Sequence, residues 1–100
     1  MTLKVESHSE ANEVVIRLPQ NFDFRAHKSF RDAFSKAVPD ARYVVDLEQT
    51  QYLDSSALGM LLQLREHVGG DKNRVRLVNA DPSIVDILKI ANFDKLMTLC

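Results

Sequence analysis

The sequence predicts a small α/β domain: a mixed β-sheet that opens with an N-terminal hairpin, continues in β-α repeats and is packed with helices. Three observations lead there. Short β-branched runs alternate with segments whose apolar residues recur at helical spacing. The link between the first two strands is too short for a parallel crossover, so they pair antiparallel. The later strands are separated by helices, and such crossovers are right-handed and set their strands parallel. One hundred residues, 45% of them hydrophobic, suit one domain over 1–100 with a modest core.

Leu3, Val5 and Ser7 alternate with Lys4, Glu6 and His8, which reads as a half-exposed strand. Ser9 to Glu13 is polar and suits a turn. Val14 to Leu18 is β-branched and apolar, a second strand that Pro19 stops. Gln20 to Asp23 is a loop, with Asp23 placed to cap the first helix. Ala26, Phe30, Ala33, Phe34, Ala37 and Val38 then fall on one side, and Arg25, Lys28, Arg31, Asp32 and Lys36 on the other. That is an amphipathic helix of about four turns, ended by Pro39-Asp40.

Arg42 to Leu47 is a third strand, and Glu48 to Gln51 a polar loop. A second helix runs from about Ser55 to Val68. It is expected to bury Ala57, Leu58, Leu61, Leu62, Leu64 and Val68, and its apolar first two turns point to a central position. Gly69-Gly70 is a C-cap signal. Asp71 to Asn73 turns, and Val75 to Val78 is a fourth strand. Asp81-Pro82 starts a third helix, with Ile84, Ile87, Leu88 and Ala91 as its stripe. Asn92-Phe93-Asp94 breaks it, and Leu96 to Leu99 reads as a last edge strand.

Composition excludes several functions. Thirteen basic residues are scattered among 14 acidic ones, for a net charge of −1, so no nucleic-acid surface is expected. No apolar run approaches the roughly 20 residues that span a bilayer, so no membrane partner is expected either. The first residues lack the apolar core of a signal peptide. Cys100 is the only cysteine, so no intrachain disulfide forms, and it reads as a tail residue rather than a nucleophile. A cytoplasmic protein is expected.

Metal and cofactor signals are equally thin. The three histidines are unpaired, and no C-x-x-C or H-x-x-x-H spacing occurs. Asp23, Asp46 and Asp54 could converge on a hard cation, but two caps and a loop acceptor account for them better. Neither Gly-rich nucleotide fingerprint is present. No metal and no cofactor is therefore expected. Enzyme activity is not expected either. His67 lies eleven residues beyond Ser56 on the same helix, about 16 Å away, and a general base must sit within about 3 Å. His8 and His27 are solitary, and the serines do not sit in a G-x-S-x-G elbow. A phosphorelay receiver would need an acidic pair after its first strand, which is missing.

One stretch stands out: Tyr52-Leu53-Asp54-Ser55-Ser56-Ala57-Leu58-Gly59. An acid and two hydroxyls sit where a loop becomes an apolar helix. Asp and Ser are good N-caps, and a helix N-terminus favours phosphate through its free N–H groups and partial positive charge. Both serines could be no more than caps, although two exceed what one cap requires. In a parallel α/β sheet the loops after the strands' carboxyl ends form the functional edge. Gln20–Asp23, Glu48–Ser56 and Asn79–Asp81 all fall there, so Asp23 and Ser56 are expected as neighbours in space.

Val45-Asp46-Leu47, the short loop and the Asp54-Ser55-Ser56-Ala57-Leu58-Gly59 run together resemble the signature of STAS domains, the sulfate-transporter and anti-sigma-factor-antagonist domains. The chain is most similar to the small bacterial anti-sigma factor antagonists that consist of this domain alone. Asn21-Phe22-Asp23, Leu77 to Pro82 and Ala91 to Leu96 resemble further stretches of that family, in order along the chain. Gln20 and Ala57 stand where the family often has glycine.

The resemblance implies a STAS-like fold and a partner-switching role. Unmodified, the protein would bind and sequester an anti-sigma factor and release a sigma factor. A serine kinase, often the anti-sigma factor itself, would phosphorylate Ser56 and end binding, and a serine phosphatase would restore it. Ser55 would support Ser56, while Asp23, Asp54, Ala57, Leu58 and Gly59 would form the surroundings of the phosphosite and the partner contact. Phosphate adds about −1.5 to −2 charges at one point. With Asp23 and Asp54 beside it, the patch is expected to become strongly acidic. The alternative is a STAS subunit that docks on a transporter ATPase or a larger signalling complex.

Overall fold

The computed structural model describes residues 3–8, 12–35 and 41–99. Its main sheet has five strands: β1 (Lys4–His8), β2 (Glu13–Arg17), β4 (Arg42–Asp46), β6 (Val75–Val78) and β7 (Thr98–Leu99), in the order β1-β2-β4-β6-β7. β1 pairs antiparallel with β2, and β2, β4, β6 and β7 run parallel. The hairpin and the parallel crossovers therefore form as the sequence predicts. The described helices are α1 (His27–Ser35), α2 (Ser55–His67), α3 (Pro82–Ile90) and α4 (Phe93–Leu96). The expected turn residues Ser9 to Ala11, the end of the first helix at Lys36 to Asp40, and Cys100 lie outside the described residues.

The period-2 pattern of the strands sets the core. Val14 and Ile16 of β2, Tyr43 and Val45 of β4, and Val75 and Leu77 of β6 are buried, and the alternate residues are not. Phe30 and Phe34 of α1, Leu61 and Leu64 of α2, and Ile84 and Leu88 of α3 share one cluster with them. Phe22, Phe30 and Phe34 stack edge to face at 5.3 Å and 5.6 Å between ring centres. Each such pair adds about 0.5–1.5 kcal/mol beyond the burial of its two rings. The Tyr43 hydroxyl stays paired in this core by donating to the Phe34 carbonyl at 3.1 Å.

The structure differs from the sequence reading in several places. Asn21–Phe22 and Tyr52–Leu53, read as parts of loops, form strands β3 and β5 in a second, two-stranded parallel sheet. Two residues are too few for periodicity to show. The first helix opens with a 3-10 turn, Phe24–Ala26, before α1 begins. On α2, Leu62 is exposed and Leu58 half-buried, whereas Met60 is buried. A helix apolar nearly all round does not reveal which face it hides. On α3, Ile87 is exposed, and Ala91, which caps the end of that helix, is half-buried. Last, the break at Asn92, whose φ is 63°, is followed by α4, so the edge strand shrinks to Thr98–Leu99.

Candidate functional site

The two-stranded sheet assembles the site. Asn21 sits opposite Tyr52 and Phe22 opposite Leu53 in parallel register. The next residues along each strand, Asp23 and Asp54, therefore leave the ribbon side by side. Inward-facing Phe22 and Leu53 anchor the ribbon in the core. The loops before it are tied as well. The Gln20 carbonyl accepts from Gln51 N at 2.8 Å and from Tyr52 N at 3.2 Å. The Gln20 amide also donates to the Gln51 side chain at 2.7 Å, a latch that glycine at this position could not make. Buried Thr50 donates its hydroxyl to the Pro19 carbonyl at 3.0 Å. A threonine in a polar loop gave no signal of this role.

Asp54 has extended backbone and caps α2, with Oδ1 accepting from Ala57 N at 2.7 Å. Its Oδ2 accepts from Phe24 N at 3.4 Å. One carboxylate thus holds the starts of two helical segments together. Asp54 makes the cap bond, so Ser55 and Ser56 are the first two helical residues, and both are exposed. Two spare hydroxyls stand at the positive end of a 13-residue helix.

The remaining candidates divide. Leu58 and Gly59 are half-buried on the same helix. Ala57 is fully buried, so it cannot offer its side chain to a partner; it serves the site through the N–H that Asp54 caps. Three exposed apolar residues on or next to these elements were not foreseen: Phe24 at 66%, Tyr52 at 52% and Leu62, further along α2, at 38% exposure. Phe24 falls off the apolar stripe of its helix, and that was the available clue. His67 is not near the serines' end of α2; its ring lies 5.1 Å from Phe34 and 6.1 Å from Tyr43.

Asp23 is more constrained than the sequence suggested. Its Oδ1 accepts from Arg25 N and Arg25 Nε, both at 3.0 Å, and Arg25 Nη2 reaches Oδ2 at 2.8 Å. The expected strongly acidic patch is corrected accordingly, because Arg25 balances the charge of Asp23. Asp46 is committed too, accepting from Glu48 N at 3.0 Å and from Asn79 Nδ2 at 3.2 Å. The three carboxylates are spent on protein donors, and they do not converge as a metal group among the described residues.

The hydrogen bonds from the Arg25 side chain are the main reason that the Asp23 carboxyl lies below its ordinary value of 3.8, against an opposing push from burial. A depressed folded-state pKa contributes stability that is present above the unfolded value and lost as pH falls through the folded one. Carboxyl chemical shifts followed through an acid titration should place Asp23 below pH 3.8, and Arg25→Gln should move it upward. No movement in that variant would mean that Arg25 does not engage the carboxylate in solution.

The family model described as "Mlab, STAS domain" matches residues 5–99. The chain belongs to the STAS domain family. A STAS-domain containing protein of Pseudomonas aeruginosa (strain UCBPP-PA14) is 44% identical over 100 residues, covering 99% of each chain. The Bacillus cell fate determinant SpoIIAA in its phosphorylated form matches with a TM-score of 0.71 and 22% identity, over 99% of this chain and 91% of SpoIIAA. The anti-sigma factor antagonist SpoIIAA in its unphosphorylated form matches with a TM-score of 0.69 and 23% identity, over 89% of this chain and 83% of that one. At those identities the likeness establishes the STAS fold. None of the described helices is long and apolar enough to cross a membrane.

Proposed function

We propose that this STAS domain is an anti-sigma factor antagonist in a partner-switching pathway, with Ser56 as the reversible phosphate acceptor. The observation that carries the reading is the division of labour at the start of α2: Asp54 caps the helix and Ser56 stands exposed beside it. The unmodified protein binds an anti-sigma factor through this corner. A serine kinase, which can be the anti-sigma factor itself, phosphorylates Ser56, and a serine phosphatase reverses the step. Ser55, Asp23, Asp54, Leu58 and Gly59 form the surroundings. The protein acts by binding, in the cytoplasm, as one domain without metal or cofactor.

Two physical points support a switch with little change of fold. The helix N-terminus accommodates a phosphate without unfolding. SpoIIAA has been solved in phosphorylated and unphosphorylated forms, and this chain's fold resembles both.

A second reading is docking on a transporter ATPase or a larger signalling assembly. It is kept by the family match, whose description names Mlab rather than an antagonist. The discriminating experiment is incubation with ATP and the cognate serine kinase. Intact-mass analysis should show one phosphate on the wild type and none on Ser56→Ala. A wild type that binds an ATPase subunit and takes up no phosphate would establish the second reading instead.

A further inference from the structure

The main sheet ends in one short strand and one long one. β7 has two residues, as do β3 and β5 of the ribbon, whereas β1 has five and stands at the end of the strand order. An edge strand presents a row of main-chain N–H and C=O groups to which another strand can bond. The neighbouring bonds decide which residues present them. Arg42 N donates to the Asn12 carbonyl at 2.9 Å, and Leu18 N donates to the Asp46 carbonyl at 3.0 Å. Main-chain groups alternate sides along a strand, so Val14 and Ile16, in step with Asn12 and Leu18, also turn theirs towards β4. Glu13, Val15 and Arg17 turn theirs towards β1, where their partners are His8, Glu6 and Lys4. That leaves the N–H and C=O groups of Val5 and Ser7 pointing off the sheet.

The side chains of β1 fit a second copy of the same strand. Lys4 stands directly opposite Arg17, a like-charge pair. Arg17 is met by Glu6 and Asp46, but Lys4 has no ion-pair partner among the described residues. A lysine alone on an edge repels incoming strands. Here Glu6 lies two residues away on the same face of β1, so the strand is self-complementary. Two β1 strands can run antiparallel about a two-fold axis, outward residues bonded to outward residues. An axis at Lys4 faces lysine with lysine, and an axis at Glu6 faces glutamate with glutamate. An axis at Ser7 leaves Lys4 and Val5 beyond the overlap. An axis at Val5 sets Lys4 against Glu6 of the second copy, twice over, at the non-hydrogen-bonded positions where side chains approach most closely. Val5 then lies at the centre. It shares a sheet face with buried Ile16 yet is 47% exposed, and its counterpart continues that apolar layer across the axis.

We propose that the free edge of β1 pairs with the same edge of a second copy of this chain, antiparallel about Val5, so that one sheet runs through both copies. Main-chain bonds between the two Val5 residues, and between Leu3 and Ser7 on either side, hold the strands together. The reciprocal Lys4–Glu6 pairs set the register. Five residues a side is far fewer than the roughly 20–30 of a stable interface, so the dimer is weak and depends on concentration. The serine corner takes no residue from β1, so self-pairing is a property independent of the switch.

Sedimentation velocity of the whole chain between about 10 µM and about 1 mM should show monomer passing into dimer, with a dissociation constant on the order of 100 µM. Lys4→Glu sets carboxylate against carboxylate across the axis and should weaken the dimer roughly tenfold or more. Its thermal midpoint should stay level or rise, because the new carboxylate faces Arg17 of its own chain. Adding Glu6→Lys to that variant makes the edge self-complementary again and should restore the dimer. Val5→Pro removes an outward N–H without breaking a bond to β2, a change that an edge strand tolerates, and it should also abolish pairing. As concentration rises, amide exchange should slow at Val5 and Ser7 and stay unchanged at Ser55 and Ser56. A chain still monomeric at about 1 mM overturns the proposal. A dimer that survives both Lys4→Glu and Val5→Pro overturns it as well, since it forms elsewhere. Protection of the Val5 and Ser7 amides only when an anti-sigma factor is added would assign the edge to that partner's strand instead of a second copy.

Discussion

Ser56→Asp should bind the anti-sigma factor roughly a hundredfold more weakly than Ser56→Ala, a difference of about 3 kcal/mol. The reason is desolvation. A partner surface fitted to a small neutral hydroxyl must bury a carboxylate with no counter-charge supplied to meet it, and such a group costs several kcal/mol. Arg25 offers little relief, because its guanidinium is already held by both oxygens of Asp23. The fold should not suffer. A negative charge in the first turn of α2 is favoured by the helix dipole by about 0.3–1 kcal/mol, so the thermal midpoint should stay level or rise slightly. Calorimetric titration of both variants, with melting curves alongside, separates the two effects. Salt refines the test. Repulsion across open solvent is screened beyond about 8 Å at physiological ionic strength, whereas buried charge is screened much less. Most of the deficit should therefore persist at high salt. Equal affinities for the two variants would remove the electrostatic basis of the switch.

The legibility of this chain depends on the length of its signals. The amphipathic stretch holding Phe30 and Phe34 spans several turns, and the hairpin needs only a short link between two apolar strands; both were readable. β3 and β5 were not, because each is two residues long and takes its stability from Phe22 and Leu53 packing in the core rather than from any local pattern. That omission mattered, since those two strands are what set Asp23 against Asp54. The loop order brought Asp23 to the correct edge of the sheet, but not the Arg25 fork that balances its charge. The exposed face of α2 was likewise hidden. Leu58, Met60, Leu61, Leu62 and Leu64 present apolar side chains around the whole helix, and only the packed structure distinguishes buried Met60 from exposed Leu62. An apolar residue on the outside of such a helix is invisible to periodicity, and at this site those are the residues that a partner can use.

The dependence of the site on two short strands leads to the largest expected stability effect. Phe22→Ala should destabilise the domain by about 3–5 kcal/mol, the usual cost of deleting a buried phenyl ring. Phe22 is fully buried, and its ring stands edge to face against Phe30 at 62°. Since domains of this size hold only about 5–15 kcal/mol in total, the loss is a large fraction of the whole. Phe34→Ala provides the comparison. It removes the same kind of ring from the other end of the stack, where its aromatic neighbours are Phe30 and His67, and it belongs to α1 rather than to the ribbon. Both variants should melt well below wild type. Their behaviour should part when affinity for the anti-sigma factor is measured at a temperature where each is still folded. Phe34→Ala keeps β3 anchored, so Asp23 stays beside Asp54 and affinity should be close to wild type. Phe22→Ala frees the strand that leads into Asp23 and weakens the bond from Phe24 N to Asp54, so affinity should fall with stability. Loss of affinity in both variants to the same degree would mean that the ribbon does not position the site and that the serine corner stands on α2 alone.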